Sequence, residues 1–242
     1  MKPEGMRTGI MFLVLMLLVL VALGQAAFLL GWTDRWVRHR TQHLAQYGVA
    51  EWDNRWCGVT LQQYPEDLMI YQTLIWDVQP DVVIETGTYC GGNALYLANL
   101  LEVIKPDAKV LTVDIDASNW KKTLAEANFP GKERLLQRIH FFEGSSTDPA
   151  VIAKMKEHIG KDAKVMVLLD SDHSRQHVLN ELKAYAPLVT VNSYLIVNDT
   201  QWGSPLDAVH DLMATTDAFV VDAAVDKFAV SCGHGGFLKR VK

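Results

Sequence analysis

From Asp81 onward, short apolar, β-branched runs alternate with stretches of helical spacing. Val82-Val83-Ile84, Val110-Leu111-Thr112-Val113, Ile139-His140-Phe141-Phe142, Val165-Met166-Val167-Leu168-Leu169 and Tyr194-Leu195-Ile196-Val197 read as strands. Between them, 94–101, 120–127 and 178–185 carry apolar residues at helical spacing, as does 68–78 before Pro80 ends it. A strand buried on both faces loses its polar alternation, so these runs predict a parallel sheet covered by helices on both sides. The tail breaks the rhythm. Phe219-Val220-Val221, Phe228-Ala229-Val230 and Phe237-Leu238 lie too close together for intervening helices, which predicts a closing antiparallel hairpin.

Upstream the pattern is of another kind. No residue between Arg7 and Asp34 is charged, and Ile10 to Leu23 is almost unbroken Leu, Val, Met, Ile and Phe. Roughly 23 residues at about 1.5 Å rise can cross a ~30 Å hydrocarbon core. The expected organisation is therefore a tail over 1–8, a transmembrane anchor over 9–31, a juxtamembrane linker or helix over 32–62 and a folded domain over 63–242. A cleaved signal peptide competes, with Lys2 and Arg7 as its basic region and Ala22-Leu23-Gly24 as its cleavage site. Arg35, Arg38 and Arg40 outnumber Lys2 and Arg7, which places the folded domain on the cytoplasmic side of a single-pass membrane protein. Trp52, Trp56 and Tyr64 interleave with polar residues, either packing onto a surface or covering a pocket.

Composition narrows the function classes. With 242 residues, 49% of them hydrophobic, the chain can bury one sizeable core. A net charge of -5 excludes a broad basic face for nucleic acid. Cys57, Cys90 and Cys232 lack metal-ligand spacing and fit free thiols in a reducing compartment.

Open parallel sheets bind ligands at the carboxyl ends of their strands, and chemistry-bearing residues fall there one strand after another. The first strand runs into Glu85-Thr86-Gly87-Thr88-Tyr89-Cys90-Gly91-Gly92, a glycine-rich turn before a helix. Its spacing is not that of a dinucleotide site, and Glu85 would repel a pyrophosphate; a cofactor with an ammonium group suits it. The second strand ends in Asp114-Ile115-Asp116, where a carboxylate can accept from ribose hydroxyls; the competing reading is a solvated turn. Ser145 and Ser146 follow the third strand and could meet an adenine edge. The fourth delivers Asp170-Ser171-Asp172-His173 and the fifth Asn198-Asp199. Asp170, Asn198 and Asp199 together offer three oxygens to a hard cation such as Mg²⁺. His173, expected in the first turn of the next helix, could take a proton from a hydroxyl held there.

The stretch from Trp56 to Arg240 resembles the cephalosporin hydroxylase family of class I S-adenosylmethionine-dependent methyltransferases, and is similar to macrolide-sugar O-methyltransferases. The resemblance rests on Asp81 to Thr88, Gly91-Gly92, Val113 to Asp116, Leu169 to Ser174, His177-Val178-Leu179, Tyr194 to Val197 with Asp199-Thr200, and Gly236 to Arg240, in that order. It implies a Rossmann-like fold with a mostly parallel seven-stranded sheet, the domain over 63–242 being the methyltransferase. It also implies an Mg-assisted O-methyltransferase acting on a hydroxyl of a small molecule, sugar or lipid-linked substrate. The implied cofactor residues are Glu85, Gly87, Thr88, Gly91, Gly92, Asp114, Asp116, Ser145 and Ser146. The metal would sit on Asp170, Asn198 and Asp199, with His173 and Asp170 catalytic. Such a cofactor is a cytoplasmic metabolite, in line with the expected orientation. The family usually has Glu before the second aspartate, whereas Asn198 stands here, which implies a cation bound with one charge fewer. A non-catalytic ligand-binding membrane subunit and a hydroxylase, as the family's historical name suggests, remain as alternatives. No nucleic-acid partner is expected; a homo-oligomer is expected only because relatives often associate.

Overall fold

The computed structural model describes residue 50 and residues 52–242, together with Met16, Val19, Val21 and Gln25, which are helical and exposed. Residues 51–242 form one compact unit and 1–50 another. The expected tail, most of the expected span over 9–31 and the first part of the expected linker lie outside the described residues. The expectation of a single-pass membrane protein is corrected. Among the described residues no helix is long and apolar enough to cross a membrane. The longest, Pro65–Val78, has 14 residues, or about 21 Å at ~1.5 Å per residue against a ~30 Å hydrocarbon core.

Among the described residues, one sheet has seven strands: β3 (Val82–Thr86), β4 (Lys109–Asp114), β5 (Ile139–Glu143), β6 (Val165–Leu169), β7 (Tyr194–Val197), β8 (Phe219–Val221) and β9 (Phe237–Arg240). Their order is β5-β4-β3-β6-β7-β9-β8, with the first five parallel and β9 antiparallel to both β7 and β8. This is a Rossmann-like α/β fold with a mostly parallel sheet and antiparallel C-terminal strands. The closing antiparallel pair is β8–β9; Phe228–Val230 forms no strand, and 222–236 connects the two.

β3 and β6 are buried along their whole length, as apolar runs between two helical layers must be. One layer holds α1 (Pro65–Val78) and α2 (Gly92–Ile104), packing Ile70, Leu74, Leu97 and Leu101 against Val83 and Met166. The other holds α5 (Pro149–Glu157), α6 (Arg175–Tyr185) and α7 (Ser204–Met213), packing Met155, Leu182 and Val209 against Ile84 and Val167. Two short helices, α3 (Ser118–Glu126) and α4 (Lys132–Leu136), lie between β4 and β5. The sheet order reverses between β3 and β6, so a crevice opens at their carboxyl ends.

Residues 53–62, read from the sequence as the end of a linker, form the hairpin β1 (Asp53–Trp56) and β2 (Val59–Gln62). Its turn, Cys57-Gly58, has φ of 51° and 84°, the left-handed pair a two-residue hairpin requires. Val59 and Leu61 are buried, and Trp56 meets the Tyr96 ring of α2 edge-on at 5.0 Å. The hairpin therefore belongs to the domain and overhangs the crevice.

Candidate active site

The glycine turn after β3 is shaped by close backbone approach. Gly87 has φ of 82°, and a Cβ there would stand 1.9 Å from the carbonyl oxygen of Asp170. Only glycine lets the end of β6 come this near, which brings Asp170 beside the turn. Gly92 opens α2 with its Cα against the hairpin, where a Cβ would lie 2.2 Å from the Thr60 carbonyl oxygen. Gly91, the residue before α2, sits against the Trp120 ring.

A cleft of about 730 Å³ runs along these strand ends. It is lined by Gly87, Thr88, Gly92, Asp114, Ser145, Ser146, Asp170, His173 and Asp199 among the residues singled out from the sequence. Glu85, Gly91, Asp116 and Asn198 do not line it. Glu85 is 1% exposed; its two oxygens accept from Asn93 Nδ2 at 2.8 Å and Thr112 Oγ1 at 2.5 Å. Burial pushes its carboxyl up to about 7, against the lowering effect of those two donors. Thr112 in turn meets Thr88 Oγ1 at 2.6 Å, so Glu85 anchors the turn from behind. Asp116 points to α3 instead, accepting from both the backbone N–H and the hydroxyl of Ser118 at 2.8 Å.

Asp114 lines the cleft, with its Oδ2 accepting from the Tyr89 N–H at 2.7 Å and its Oδ1 from the Asp116 N–H at 3.1 Å. Ile115 beside it is 77% exposed, an apolar surface ready for a planar ligand. Further along, Ser146 Oγ lies 3.0 Å from His177 Nε2, whose imidazole is pushed up by the Glu181 carboxylate 3.6 Å away despite partial burial.

At the other end, Asp170, His173 and Asp199 bring one ligand atom each within 4.8 Å of one another. His173 Nε2 stands 3.2 Å from Asp199 Oδ2. His173 belongs to the loop before α6, two residues short of the helix in which it was expected. Asp199 adopts φ of 57°, a left-handed conformation uncommon for a non-glycine residue and frequent where a side chain must be aimed. Burial, and then the neighbouring Asp199 carboxylate, push the Asp170 carboxyl well above the ordinary carboxylate range. Asn198, only 2% exposed, turns inward: its Oδ1 accepts from the Tyr71 hydroxyl at 2.9 Å and its Nδ2 donates to Gln63 Oε1 at 3.3 Å. The oxygen expected to ligate a cation accepts this one hydrogen bond, and Asn198 does not line the cleft. His173 lies with Asp170 and Asp199 in the cluster.

Sequence reading missed Gln63, Tyr71, His177 as a cleft residue, and Trp202. Gln63 Nε2 donates to Asp170 Oδ2 at 2.5 Å from more than a hundred residues away, a pairing no local spacing encodes. Trp202 is 65% exposed, lines the cleft and donates from Nε1 to Asp199 Oδ1 at 3.3 Å. Its position three residues after a strand-end aspartate was the available signal.

The family model for rhamnosyl O-methyltransferase/CmcI matches residues 50–241. The chain belongs to this family. The resemblance to the cephalosporin hydroxylase family drawn from the sequence is borne out. Rhamnosyl O-methyltransferase of Mycobacterium tuberculosis is 37% identical over 162 residues, 65% of this chain and 62% of that protein. The Mycobacterium leprae protein of the same description is 32% identical over 160 residues, 65% of this chain and 66% of that one. The chain thus aligns with somewhat under two thirds of the length of these relatives. A solved structure of CmcI with Mg and SAM superposes with a TM-score of 0.61 at 21% identity, covering 81% of this chain and 80% of that one. At that identity the likeness establishes the fold.

Proposed function

We propose that this chain is an S-adenosylmethionine-dependent O-methyltransferase whose acceptor is a sugar hydroxyl, with a divalent cation held by Asp170 and Asp199. The observation that carries the reading is the convergence of two carboxylates and an imidazole within 4.8 Å, at the crevice where the sheet order reverses. Like charges this close, both half-buried, favour a hard cation between them, and carboxylate oxygens suit Mg²⁺. Asp114 and Ser146 would hold the cofactor's ribose and adenine, and the backbone of Gly87 to Thr88 its amino-acid end. Parallel strands ~4.8 Å apart separate Asp114 from Asp199 by roughly 14 Å, room for a cofactor between them.

When bound, the cofactor supplies an electrophilic methyl group and the cation lowers the pKa of an acceptor hydroxyl. His173 would accept that hydroxyl's proton, and Asp199, 3.2 Å away, would stabilise the resulting imidazolium. The crevice would fix the acceptor oxygen against the methyl group. A second reading makes His173 a third ligand of the cation, because its Nε2 belongs to the same cluster. Cation binding by His173→Ala separates the two: it is kept if His173 is the base and weakened if it is a ligand.

The acceptor end of the cleft is lined by aromatic rings. Trp202 flanks Asp199, and Trp52 meets Tyr64 edge-on at 5.9 Å on the hairpin side. Such rings suit the C–H face of a sugar while leaving its hydroxyls to the polar centre. The relatives' description as rhamnosyl O-methyltransferases supports a deoxyhexose acceptor. Incubation with methyl-labelled S-adenosylmethionine and a panel of rhamnosides and related glycosides, with Mg²⁺, tests the reading; formation of a labelled sugar methyl ether is expected. Cofactor binding with no transfer to any of these acceptors would favour a binding role instead.

A further inference from the structure

We propose that Gln63 is a positioning residue for Asp170, the last link of a one-way hydrogen-bond relay that begins at Tyr71. The proposal rests on the reading of Asp170 and Asp199 as the cation-holding pair. Gln63 Nε2 donates to Asp170 Oδ2 at 2.5 Å, which holds one of the two carboxylate oxygens in place. On its other side, Gln63 Oε1 accepts from Asn198 Nδ2 at 3.3 Å and from the Cys232 thiol at 3.4 Å. Asn198 Oδ1 lies 2.9 Å from the Tyr71 hydroxyl, which is also 3.0 Å from Gln63 Oε1.

With Asp170 ionised, as the holding of a cation requires, it can only accept, and the two amides then have one self-consistent orientation. A hydroxyl carries a single proton, so Tyr71 can donate to only one of its two carbonyl neighbours. Donation to Asn198 leaves the Asn198 amide to donate to Gln63, and the Gln63 amide to donate to Asp170. Every donor then points toward the carboxylate, and each bond polarises the next. Turning either amide over would set two N–H groups or two oxygens against each other. Gln63, Tyr71 and Asn198 are 3%, 1% and 2% exposed, so water does not compete for these groups.

An amide at Asn198 suits this place. An amide can both accept from Tyr71 and donate to Gln63, whereas a carboxylate could only accept. Gln63 also follows β2 directly, its backbone carbonyl accepting from Asn54 Nδ2 at 2.8 Å. The seating of the hairpin over the cleft is thereby tied to the orientation of Asp170.

The test uses Gln63→Met, which keeps length and volume but removes the amide, and Tyr71→Phe, which removes only the first donor. Mn²⁺ binding to the whole chain is measured by electron paramagnetic resonance, with cofactor affinity by calorimetry and melting temperature alongside. Removing an outer partner of a metal-binding carboxylate costs about 10- to 100-fold in metal affinity. Gln63→Met is expected to weaken Mn²⁺ by that factor and lower kcat, while cofactor affinity and acceptor KM stay within about twofold. A smaller loss of Mn²⁺ affinity, about threefold, is expected for Tyr71→Phe, which carries the test if Gln63→Met does not fold. Parent-like Mn²⁺ affinity in the folded variants would overturn the role of Gln63 and leave the metal reading standing. A parent chain that binds no Mn²⁺ would overturn both.

Discussion

His173 Nε2 lies 3.2 Å from Asp199 Oδ2, although one residue follows β6 and the other follows β7. The pair forms because neighbouring parallel strands end side by side. A proton taken up by the imidazole would meet a carboxylate at once. Replacement by His173→Ala is expected to lower kcat by about 10²- to 10⁴-fold, the usual contribution of a positioned base. Steady-state rates with calorimetric cofactor binding check this; a kcat within a few-fold of the parent would remove His173 from the chemistry.

Gly87 carries the packing of β3 against the end of β6. Gly87→Ala must hold a side chain at φ of 82° and place its Cβ 1.9 Å from the Asp170 carbonyl oxygen. The combined cost of the left-handed backbone and the overpacking is about 3 kcal/mol or more. Chemical denaturation is expected to show that loss, with cofactor affinity falling as Asp170 and the turn move apart.

Glu85 gives the cofactor-free protein a pH signature. The folded protein holds the Glu85 proton up to about pH 7, while the unfolded carboxyl releases it near 4.5. The stability this group contributes is full below about 4.5 and is lost as pH rises through 7, because the folded state binds the extra proton across that window. Glu85→Gln keeps an acceptor for Asn93 and offers an N–H to Thr112. Its stability relative to the parent is expected to rise by about 1.4 kcal/mol per pH unit between pH 5 and 7. Urea denaturation at a series of pH values measures this; a flat difference would show that Glu85 is ionised in the fold.

Trp202 presents an exposed face beside Asp199 and donates to Asp199 Oδ1. Trp202→Phe retains a ring and loses the indole N–H; Trp202→Ala loses both. Loss of the stacking surface is expected to raise acceptor KM about tenfold in Trp202→Ala, with Trp202→Phe recovering most of it. Equal KM values in all three proteins would place the acceptor elsewhere in the cleft.

Much of this architecture was legible in the sequence because fully buried strands write themselves as apolar runs. Val82 to Ile84 and Val165 to Leu169 leave little room for another reading. Asp114 stood out because it closes such a run, Asp170 because it directly follows one, and Asp199 because it lies two residues past one. The β1–β2 hairpin was not legible: its turn is Cys57-Gly58, and cysteine in a left-handed position carries none of the signal of Asn-Gly. Asp148-Pro149 did mark the start of α5, with Asp148 Oδ1 accepting from the Ala150 N–H at 2.8 Å, and went unread. The polar half of the site escaped because Gln63 and Asp170 meet only after the hairpin folds over the sheet. Asn198 stood out through its neighbour in sequence; its bond to Tyr71, far away in the chain, could not be read there. Asp116 shares a short acidic motif with Asp114, yet a single serine two residues on draws it to a helix end.

The central claim, methyl transfer at a cation site built on Asp170 and Asp199, is tested most directly by metal dependence. Metal-depleted parent protein and Asp199→Asn would be assayed for methyl transfer to a glycoside acceptor while Mg²⁺ is titrated back. The parent is expected to lose turnover on depletion and regain it with Mg²⁺, and Asp199→Asn to need at least about tenfold more Mg²⁺ for a lower maximum. Full turnover by the depleted parent in the presence of a chelator, or an unchanged Mg²⁺ response in Asp199→Asn, would contradict it.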